Sequence, residues 1–212
     1  MTEDLERQLV FELAGEIRGR AVLDVGCGDG ALAMAFRQRG AERVAGCDPD
    51  LQMIARASVE ATRQQAEIGY VIAAAEQLPF GDRSFDIVSL ITVLAFMPKP
   101  GLALAEIARV LRPGGRLVLG DLGKWSSWAA FRRIRAWRHG GQWAKARFRT
   151  GRQLCRLTEA GGLSVETVRG AVFYPRWAPA ARVLAPADPG LGRVTTIGAA
   201  FIALAAVKSA RS

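Results

Sequence analysis

Histidine, cysteine and long apolar runs are all scarce in this chain of 212 residues. It has a single histidine, His139, and three cysteines at spacings that fit no zinc site, so we predict no metal and reduced thiols. The longest apolar run, 197–207, is too short to cross a bilayer as a helix. Residues 1–7 are polar and acidic, unlike a secretory signal. We therefore expect a cytoplasmic protein without a transmembrane segment.

Acidic residues are missing from one long stretch. The net charge is +9, and between Asp121 and Glu159 there are ten Lys or Arg residues and no acid. The rest of the chain nearly balances, so the excess positive charge is local. Half of the residues are apolar, and the length predicts one globular α/β domain over residues 1–212.

The most informative stretch is 22–30, Val-Leu-Asp-Val-Gly-Cys-Gly-Asp-Gly. Its aliphatic residues predict a buried strand, and its glycines predict a tight turn into a helix over 31–39. Free N–H groups at such a helix start can contact a nucleotide cofactor. Gly26, Gly28 and Ala31 also satisfy the looser dinucleotide pattern, so this stretch alone leaves the cofactor open.

Strand and helix patterns alternate along the chain, which predicts a doubly wound α/β sheet with ligands at the carboxyl ends of its strands. The predicted strands are 22–25, 44–47, 68–73, 85–93, 116–120, 163–172 and 195–207. The predicted helices are 2–17, 31–39, 51–65, 101–111, 126–138 and one to residue 160 that Thr150 caps. We expect the first helix across the sheet edge or the cofactor mouth, and 178–189 to be irregular. A loop joins the last two strands, so we expect them to pair antiparallel at one edge.

Five segments follow one another in a specific order. They are 22–30, Gly-Cys-Asp-Pro-Asp at 46–50, Ala-Glu-Gln-Leu-Pro-Phe at 75–80, Ser-Phe-Asp-Ile-Val at 84–88 and Glu-Ile-Ala-Arg-Val-Leu-Arg-Pro-Gly-Gly at 106–115. Together they resemble the class I S-adenosylmethionine-dependent methyltransferases, in particular the small-molecule branch that includes quinone-biosynthesis enzymes. The resemblance covers residues 20–121, the expected cofactor-binding core. It implies a Rossmann-like seven-stranded sheet, mostly parallel with an antiparallel C-terminal strand, and a helical lid after strand five.

The resemblance also implies where S-adenosylmethionine binds. The residues expected at the cofactor are Asp24, Gly26, Gly28, Gly30, Asp48, Met53, Ala75, Glu76 and Ile91. The glycines would follow its methionine moiety, Asp24 would orient the turn and the ammonium group, and Asp48 would bind the ribose hydroxyls. Positions 53, 75 and 76 would lie near adenine, and position 91 near the transferring methyl. Met53 as a core residue and Glu76 as a surface acid remain open alternatives.

Two positions depart from the family's pattern. Ala74 stands where relatives often have Asp before the adenine loop, and 94–96 reads Leu-Ala-Phe where many have Leu-His-His. No acid or base is therefore expected on the acceptor side at that place. The methyl carbon is activated by positive sulfur and needs no protein nucleophile, so we assign no catalytic residue. We expect His139 to lie at a surface helix end.

Residues 123–150 form a basic, Trp-rich insertion. In helical projection Ala130, Phe131, Ile134 and Trp137 share one face beside several arginines. One interpretation is a lid whose apolar face covers the acceptor pocket. Another is peripheral contact of 125–149 with an anionic membrane, since Arg and Trp beside an apolar face suit the interface. Nucleic acid is the least favoured partner, because no recognised nucleic-acid module accompanies the basic run.

These features together predict an S-adenosylmethionine-dependent methyltransferase with a small-molecule acceptor of apolar or lipid-like character. An NAD(P)-dependent oxidoreductase is one alternative, because it shares the glycine turn and the ribose-binding acid. A catalytically degenerate cofactor-binding protein that docks on membrane or nucleic acid is another.

Overall fold

The structure is a computed structural model that describes residues 2–139, 141, 143, 145–174 and 188–210. Its strands are β1 (Ala21–Val25), β2 (Arg43–Asp48), β3 (Gly69–Ile72), β4 (Phe85–Ile91), β5 (Leu111–Leu122), β6 (Leu163–Ala171) and β7 (Phe201–Lys208). Its helices are α1 (Thr2–Ala14), α2 (Ala31–Gln38), α3 (Leu51–Arg63), α4 (Pro100–Val110), α5 (Ser127–His139), α6 (Gly151–Ala160) and α7 (Asp188–Val194). A single 3-10 turn, Leu94–Phe96, follows β4.

All seven strands form one sheet in the order β3-β2-β1-β4-β5-β7-β6. β1 pairs in parallel with β2 and β4, and β4 pairs in parallel with β5. β7 runs antiparallel to both β5 and β6. The predicted mostly parallel sheet with an antiparallel end pair is therefore confirmed. The carboxyl ends of β1, β2, β4 and β5 meet at one edge, where ligands bind in sheets of this kind.

The core consists of two apolar layers, one on each face of the sheet, because side chains alternate along a strand. One layer packs β-strand residues against α4 and α6, and includes Leu23, Val88, Leu117, Leu104 and Leu154. The other packs them against α1 and α2, and includes Val22, Ile87, Val118, Leu13 and Phe36. Burying each such side chain contributes about 1.5–3 kcal/mol, so the two layers hold the strand ends in a fixed arrangement.

Two helices begin at predicted caps. The carboxylate of Asp50 accepts a hydrogen bond of 2.8 Å from the N–H of Gln52 at the start of α3. The hydroxyl of Thr150 accepts one from the N–H of Gln153, whose side chain accepts the N–H of Thr150 in return. Such caps contribute about 1 kcal/mol each. Both predictions of these caps are confirmed.

Several predicted boundaries were wrong, because the regular backbone conformation ends earlier or begins later than the sequence pattern indicates. α1 ends at Ala14, before Gly15 in the left-handed region, and packs on β5, β7 and β6. β4 ends at Ile91 because Thr92 has a φ of 60°. β7 begins only at Phe201, after a turn. Gly15 was a visible signal for the end of α1, whereas the bend at Thr92 has no signal in the local sequence.

Two further segments differ from prediction. α4 ends at Val110, and the strand begins at once with Leu111 paired to Phe85, so the Pro-Gly-Gly at 113–115 lies within an irregular strand start. Of the stretch 178–189, residues 178–187 lie outside the described residues, whereas α7 starts within it. Asp188 accepts hydrogen bonds from the N–H groups of two residues after β6, which ties α7 to that strand.

The insertion at 123–150 leaves the sheet and rejoins it at the same place, just after β5. Gly123 forms a parallel bridge with Arg149, and the N–H of Lys124 donates to the Arg149 carbonyl at 2.9 Å. The predicted helix is present as α5. Among the helices that the structure describes, none combines the length and apolar character needed to cross a membrane.

α5 is attached through the side opposite to the predicted one. Ala129 is fully buried, and the indole N–H of Trp128 donates to the Tyr174 carbonyl at 2.9 Å. The exposed fractions of Phe131, Ile134 and Trp137 are 44%, 55% and 84%. In this structure the Trp128 and Ala129 side of α5 takes the buried position, and the apolar face that we expect to cover an acceptor pocket is exposed.

Candidate cofactor-binding site

The carboxylate of Asp48 joins the ends of β1 and β2. Its Oδ2 accepts a hydrogen bond of 3.0 Å from the N–H of Gly28, and its Oδ1 accepts one of 2.9 Å from the N–H of Asp50. The N–H of Gly26 donates to the Cys47 carbonyl at 2.7 Å, which binds the start of the glycine turn to β2. Two segments that are 20 residues apart in sequence thus meet side by side at the ligand edge.

The three glycines of this turn have different surroundings. A Cβ at Gly26 would overlap Val93, and a Cβ at Gly30 would overlap the hydroxyl of Tyr70. Gly28 has a φ of 54°, and a Cβ there would meet nothing within 4 Å. Of the three, only Gly28 presents bare main chain to open space, and this is the space in which a ligand could contact the backbone.

Asp24 lies inside the sheet, in register with Gly46 on β2 and Ser89 on β4. The Ser89 hydroxyl donates to Asp24 Oδ1 at 2.7 Å, whereas the buried Oδ2 has no hydrogen-bond partner among the described residues. Burial raises the pKa of Asp24 to about 7, although the Ser89 hydrogen bond opposes this. An unsatisfied buried acceptor costs about 1–3 kcal/mol, and a nearby cation would reduce that cost.

The predicted adenine side is a turn that follows β3. Ala75 is buried, Met53 and Glu76 are half-buried, and the N–H of Gln77 donates to the Ala74 carbonyl at 3.1 Å. These positions flank the end of β2, because the N–H of residue 73 donates to the Asp48 carbonyl. The turn thus lies beside the ribose-binding candidate, as the resemblance implies.

A charged pair on α4 holds the loop behind this turn. Glu106 accepts the N–H of Leu78 at 2.8 Å, and Arg109 donates to the carbonyls of Leu78 and Phe80 at 3.0 and 2.8 Å. Arg109 also pairs with Glu106 and Asp82, both at 2.7 Å, and these carboxylates raise its pKa well above the ordinary value. Sequence reasoning treated 106–115 only as a family motif and missed this role, although the Glu-x-x-Arg spacing on one helix face was visible.

The end of β4 is strained. Ile91 is half-buried at the last position of the strand, and Thr92 follows in the left-handed region with its N–H bonded to the Gly120 carbonyl at 2.7 Å. A β-branched residue in this conformation costs on the order of 1–3 kcal/mol. The bend sets Val93 against Gly26, so β4 closes on the glycine turn. The sequence carries no signal for this contact.

A buried ion pair ties the insertion to the same edge. Arg149 donates to Asp121 Oδ2 at 3.3 Å and to the Leu94 carbonyl at 2.8 Å, and Asp121 is fully buried. Burial raises the pKa of Asp121 to about 6, against the opposing effect of the Arg149 charge. The N–H of Arg147 donates to the Ala95 carbonyl at 2.7 Å. The last residues of the insertion, 147–149, therefore lie across the turn after β4.

The cysteines occupy structural positions. Cys27 and Cys47 are buried free thiols, and burial raises the pKa of Cys47 to about 12. The described residues contain no group of three or more His, Cys, Asp or Glu that could hold a metal ion. The side chain of His139 lies outside the described part of the structure.

A parallel sheet with a glycine turn after β1 and an acid ending β2 defines the doubly wound proteins that bind nucleoside cofactors. The methyltransferase-domain family matches residues 23–119 of the chain. A ubiquinone biosynthesis O-methyltransferase from Idiomarina loihiensis is 32% identical over 163 residues, which are 74% of this chain and 67% of that protein. This chain therefore belongs to the S-adenosylmethionine-dependent methyltransferases.

Solved structures share the fold. An S-adenosylmethionine dependent methyltransferase from Mesorhizobium loti matches with a TM-score of 0.70 at 19% identity, over 96% of both chains. The [4+2]-cyclase SpnF matches with a TM-score of 0.73 at 22% identity, over 96% of this chain and 80% of that one. At these identities the likeness establishes the Rossmann-like fold. None of these comparisons supports the nicotinamide-dependent alternative.

Replacing Arg109 with Lys tests whether the Arg109 side chain anchors the loop at 78–80, next to the predicted adenine side of the site. Lysine keeps the charge but cannot serve two carbonyls and two carboxylates with one planar group, so we expect Arg109→Lys to lower the free energy of unfolding by about 1–2 kcal/mol. Urea unfolding measures this change. The matched control is Arg63→Lys, which alters an exposed pair with Glu60 and should change stability by less than about 0.5 kcal/mol. Equal losses in the free energy of unfolding for the two substitutions would contradict the anchoring role of Arg109.

Replacing Asp24 with Asn tests the buried carboxyl. Because the pKa of Asp24 is raised from 3.8 to about 7, folding takes up a proton between these values and stability falls as pH rises through this window. Asp24→Asn removes this penalty, so the variant should gain up to about 4 kcal/mol over the parent at pH 8 and little at pH 4. Urea unfolding across pH gives the difference, with exposed Asp29→Asn as control. A gain that is the same at every pH would refute the assignment.

Proposed function

We propose that this protein transfers a methyl group from S-adenosylmethionine to a small acceptor of apolar or amphiphilic character. The observation that carries the proposal is the contact between the Gly28 N–H and the Asp48 carboxylate at the ligand edge. It sets an open stretch of main chain beside an acid at a strand end, and these are the two groups that a nucleoside with an amino-acid arm requires.

The described residues fit this cofactor. Asp48 would accept the ribose hydroxyls, Gly28 would leave room for the methionine arm, and the unsatisfied Oδ2 of Asp24 suits a neighbouring positive charge. Ala75 and Glu76 would border adenine. When bound, S-adenosylmethionine supplies a methyl group on positively charged sulfur. The protein then has to hold the acceptor in line and exclude water, which can account for much of the rate.

The acceptor side is largely apolar. Ile91 ends β4, and the ring of Phe96 lies 5.6 Å from that of Trp143, which belongs to the return of the insertion. An apolar ring or chain would gain free energy by displacing water from such a surface. The relative named for ubiquinone biosynthesis supports an acceptor of this class, and quinols and phenols are therefore the first candidates.

Transfer of labelled methyl from S-adenosylmethionine to a panel of quinols, phenols, amines and lipids tests the reaction. Asp48→Asn should weaken binding of S-adenosylhomocysteine about 10–100-fold, because a charge-assisted hydrogen bond is lost. Gly28→Ala should also weaken it, because a methyl group enters the open space. Gly114→Ala is the matched control for backbone strain, since Gly114 also has a positive φ with nothing near its Cβ position.

Gly28→Ala and Gly114→Ala should destabilise the fold similarly, by about 1–2 kcal/mol, yet only the first should alter cofactor affinity. Undiminished affinity of folded Asp48→Asn and Gly28→Ala proteins would refute the site. Tight cofactor binding without methyl release to any acceptor would instead favour the non-enzymatic alternative.

We further propose a cytoplasmic protein that makes peripheral contact with anionic membranes through α5. Phe131, Ile134, Arg135 and Arg138 border one surface depression, so exposed apolar and cationic side chains lie together. Apolar groups that insert below lipid head groups, with arginines at the phosphate level, bind acidic bilayers in this way. Three free thiols suit a reducing compartment.

Sedimentation with phosphatidylserine vesicles tests this contact. Ile134→Ser with Trp137→Ser should reduce the bound fraction at least fivefold at low salt, and added salt should weaken binding of the parent. Leu102→Ser on α4 is the control, since Leu102 is exposed elsewhere and should not matter. The membrane proposal fails if the parent does not bind anionic vesicles at low salt.

A further inference from the structure

A second concave site lies beside the cofactor site, at the other half of the sheet. It is a groove of about 960 Å³ between the residues after β5, the start of α6 and the turn before β7, which we name the α6 groove. None of the residues expected at the cofactor lines it. β4 separates β1 from β5 in the sheet, so the groove and the glycine turn belong to different strands.

The walls of the α6 groove are unusually apolar for an exposed surface. Trp125, Val194 and Ile197 line it and are 61%, 85% and 76% exposed. Its inner side is formed by Val168 and by Ile202, which belongs to the buried core. A concave apolar surface of this size is typical of small-ligand sites, whereas isolated exposed apolar residues are not.

The charges at the groove all have one sign. Lys124, Arg152 and Arg193 line it, and no Asp or Glu is among the described lining residues. Lys124 Nζ lies 5.1 Å from the centre of the Trp125 ring, and Arg193 is 3.8 Å from the exposed carboxylate of Glu12. The groove therefore combines an apolar body with a cationic rim, and it is complementary to a ligand with a hydrocarbon part and a negative head.

From this combination we infer that the α6 groove binds a single-chain anionic amphiphile, such as a long-chain carboxylate. A concave groove can surround one chain, whereas contact with a bilayer requires an extended exposed surface such as the apolar and cationic face of α5. The site is additional to the proposed methyl transfer and does not depend on it.

Cys155 makes the groove accessible to a specific measurement. It lines the groove and is half-buried, whereas Cys27 and Cys47 are buried. Dodecanoate, used below its micelle concentration, should slow maleimide labelling of Cys155 in the 212-residue chain, and calorimetry should give one site per chain. From octanoate to dodecanoate the affinity should rise about two- to fourfold for each CH2. Dodecyltrimethylammonium should bind at least tenfold more weakly.

Charge reversal separates the groove from general attraction to a basic protein. Lys124→Glu and Arg152→Glu should each weaken dodecanoate binding about tenfold. Arg156→Glu is the matched control, because Arg156 is exposed on the same helix but does not line the groove, and it should change affinity less than threefold. Asp48→Asn should bind dodecanoate like the parent, which keeps this test independent of the cofactor.

Three results would overturn the inference. They are binding without protection of Cys155, equal effects of Arg152→Glu and Arg156→Glu, and binding to lipid vesicles without binding to monomeric dodecanoate. Unsaturable uptake of many chains per protein would count in the same way, since it marks an adventitious detergent effect.

Discussion

The hydrogen bond between the Gly28 N–H and the Asp48 carboxylate is the contact around which the site is built. It requires β1 and β2 to lie in parallel with a register that brings both carboxyl ends to one level. That register is set by the two apolar layers on the faces of the sheet, because shifting a strand by one residue would turn its buried side chains to the wrong face. The packing of the core thus also fixes the positions of the residues expected at the cofactor.

The buried Asp24 depends on the register of three strands, β2, β1 and β4. Gly46 and Ser89 are its register neighbours, one without a side chain and the other a hydrogen-bond donor. The protein tolerates a buried carboxyl whose pKa is raised to about 7. A buried carboxyl of this kind does not stabilise the core, and it suits the positively charged ligand that we propose beside it.

Much of the fold was predictable from the sequence, because alternating buried strands and amphipathic helices leave strong periodic patterns. The caps at Asp50 and Thr150 and the end pair β6–β7 followed from local chemistry. The strained bend at Thr92 and the anchoring of the 78–80 loop by Arg109 were not predictable, since both depend on contacts between distant segments. Helical projection grouped the apolar residues of α5 on one face, but it could not show that the opposite side, with Trp128 and Ala129, is the one that packs against the core.

The backbone bridge between Gly123 and Arg149 determines how the insertion at 123–150 is attached to the sheet. Because the chain leaves and rejoins the sheet at a single backbone bridge, the described part of the insertion adds no strand to the sheet and is held by a few contacts, among them those of Trp128 and Arg147. Changes in the insertion that keep these contacts should therefore leave the pairing of the seven strands intact. Substitutions in the insertion could therefore change the acceptor contacts and the surface contacts of the protein together. The residues expected at the cofactor, which lie outside the insertion, would stay unaltered.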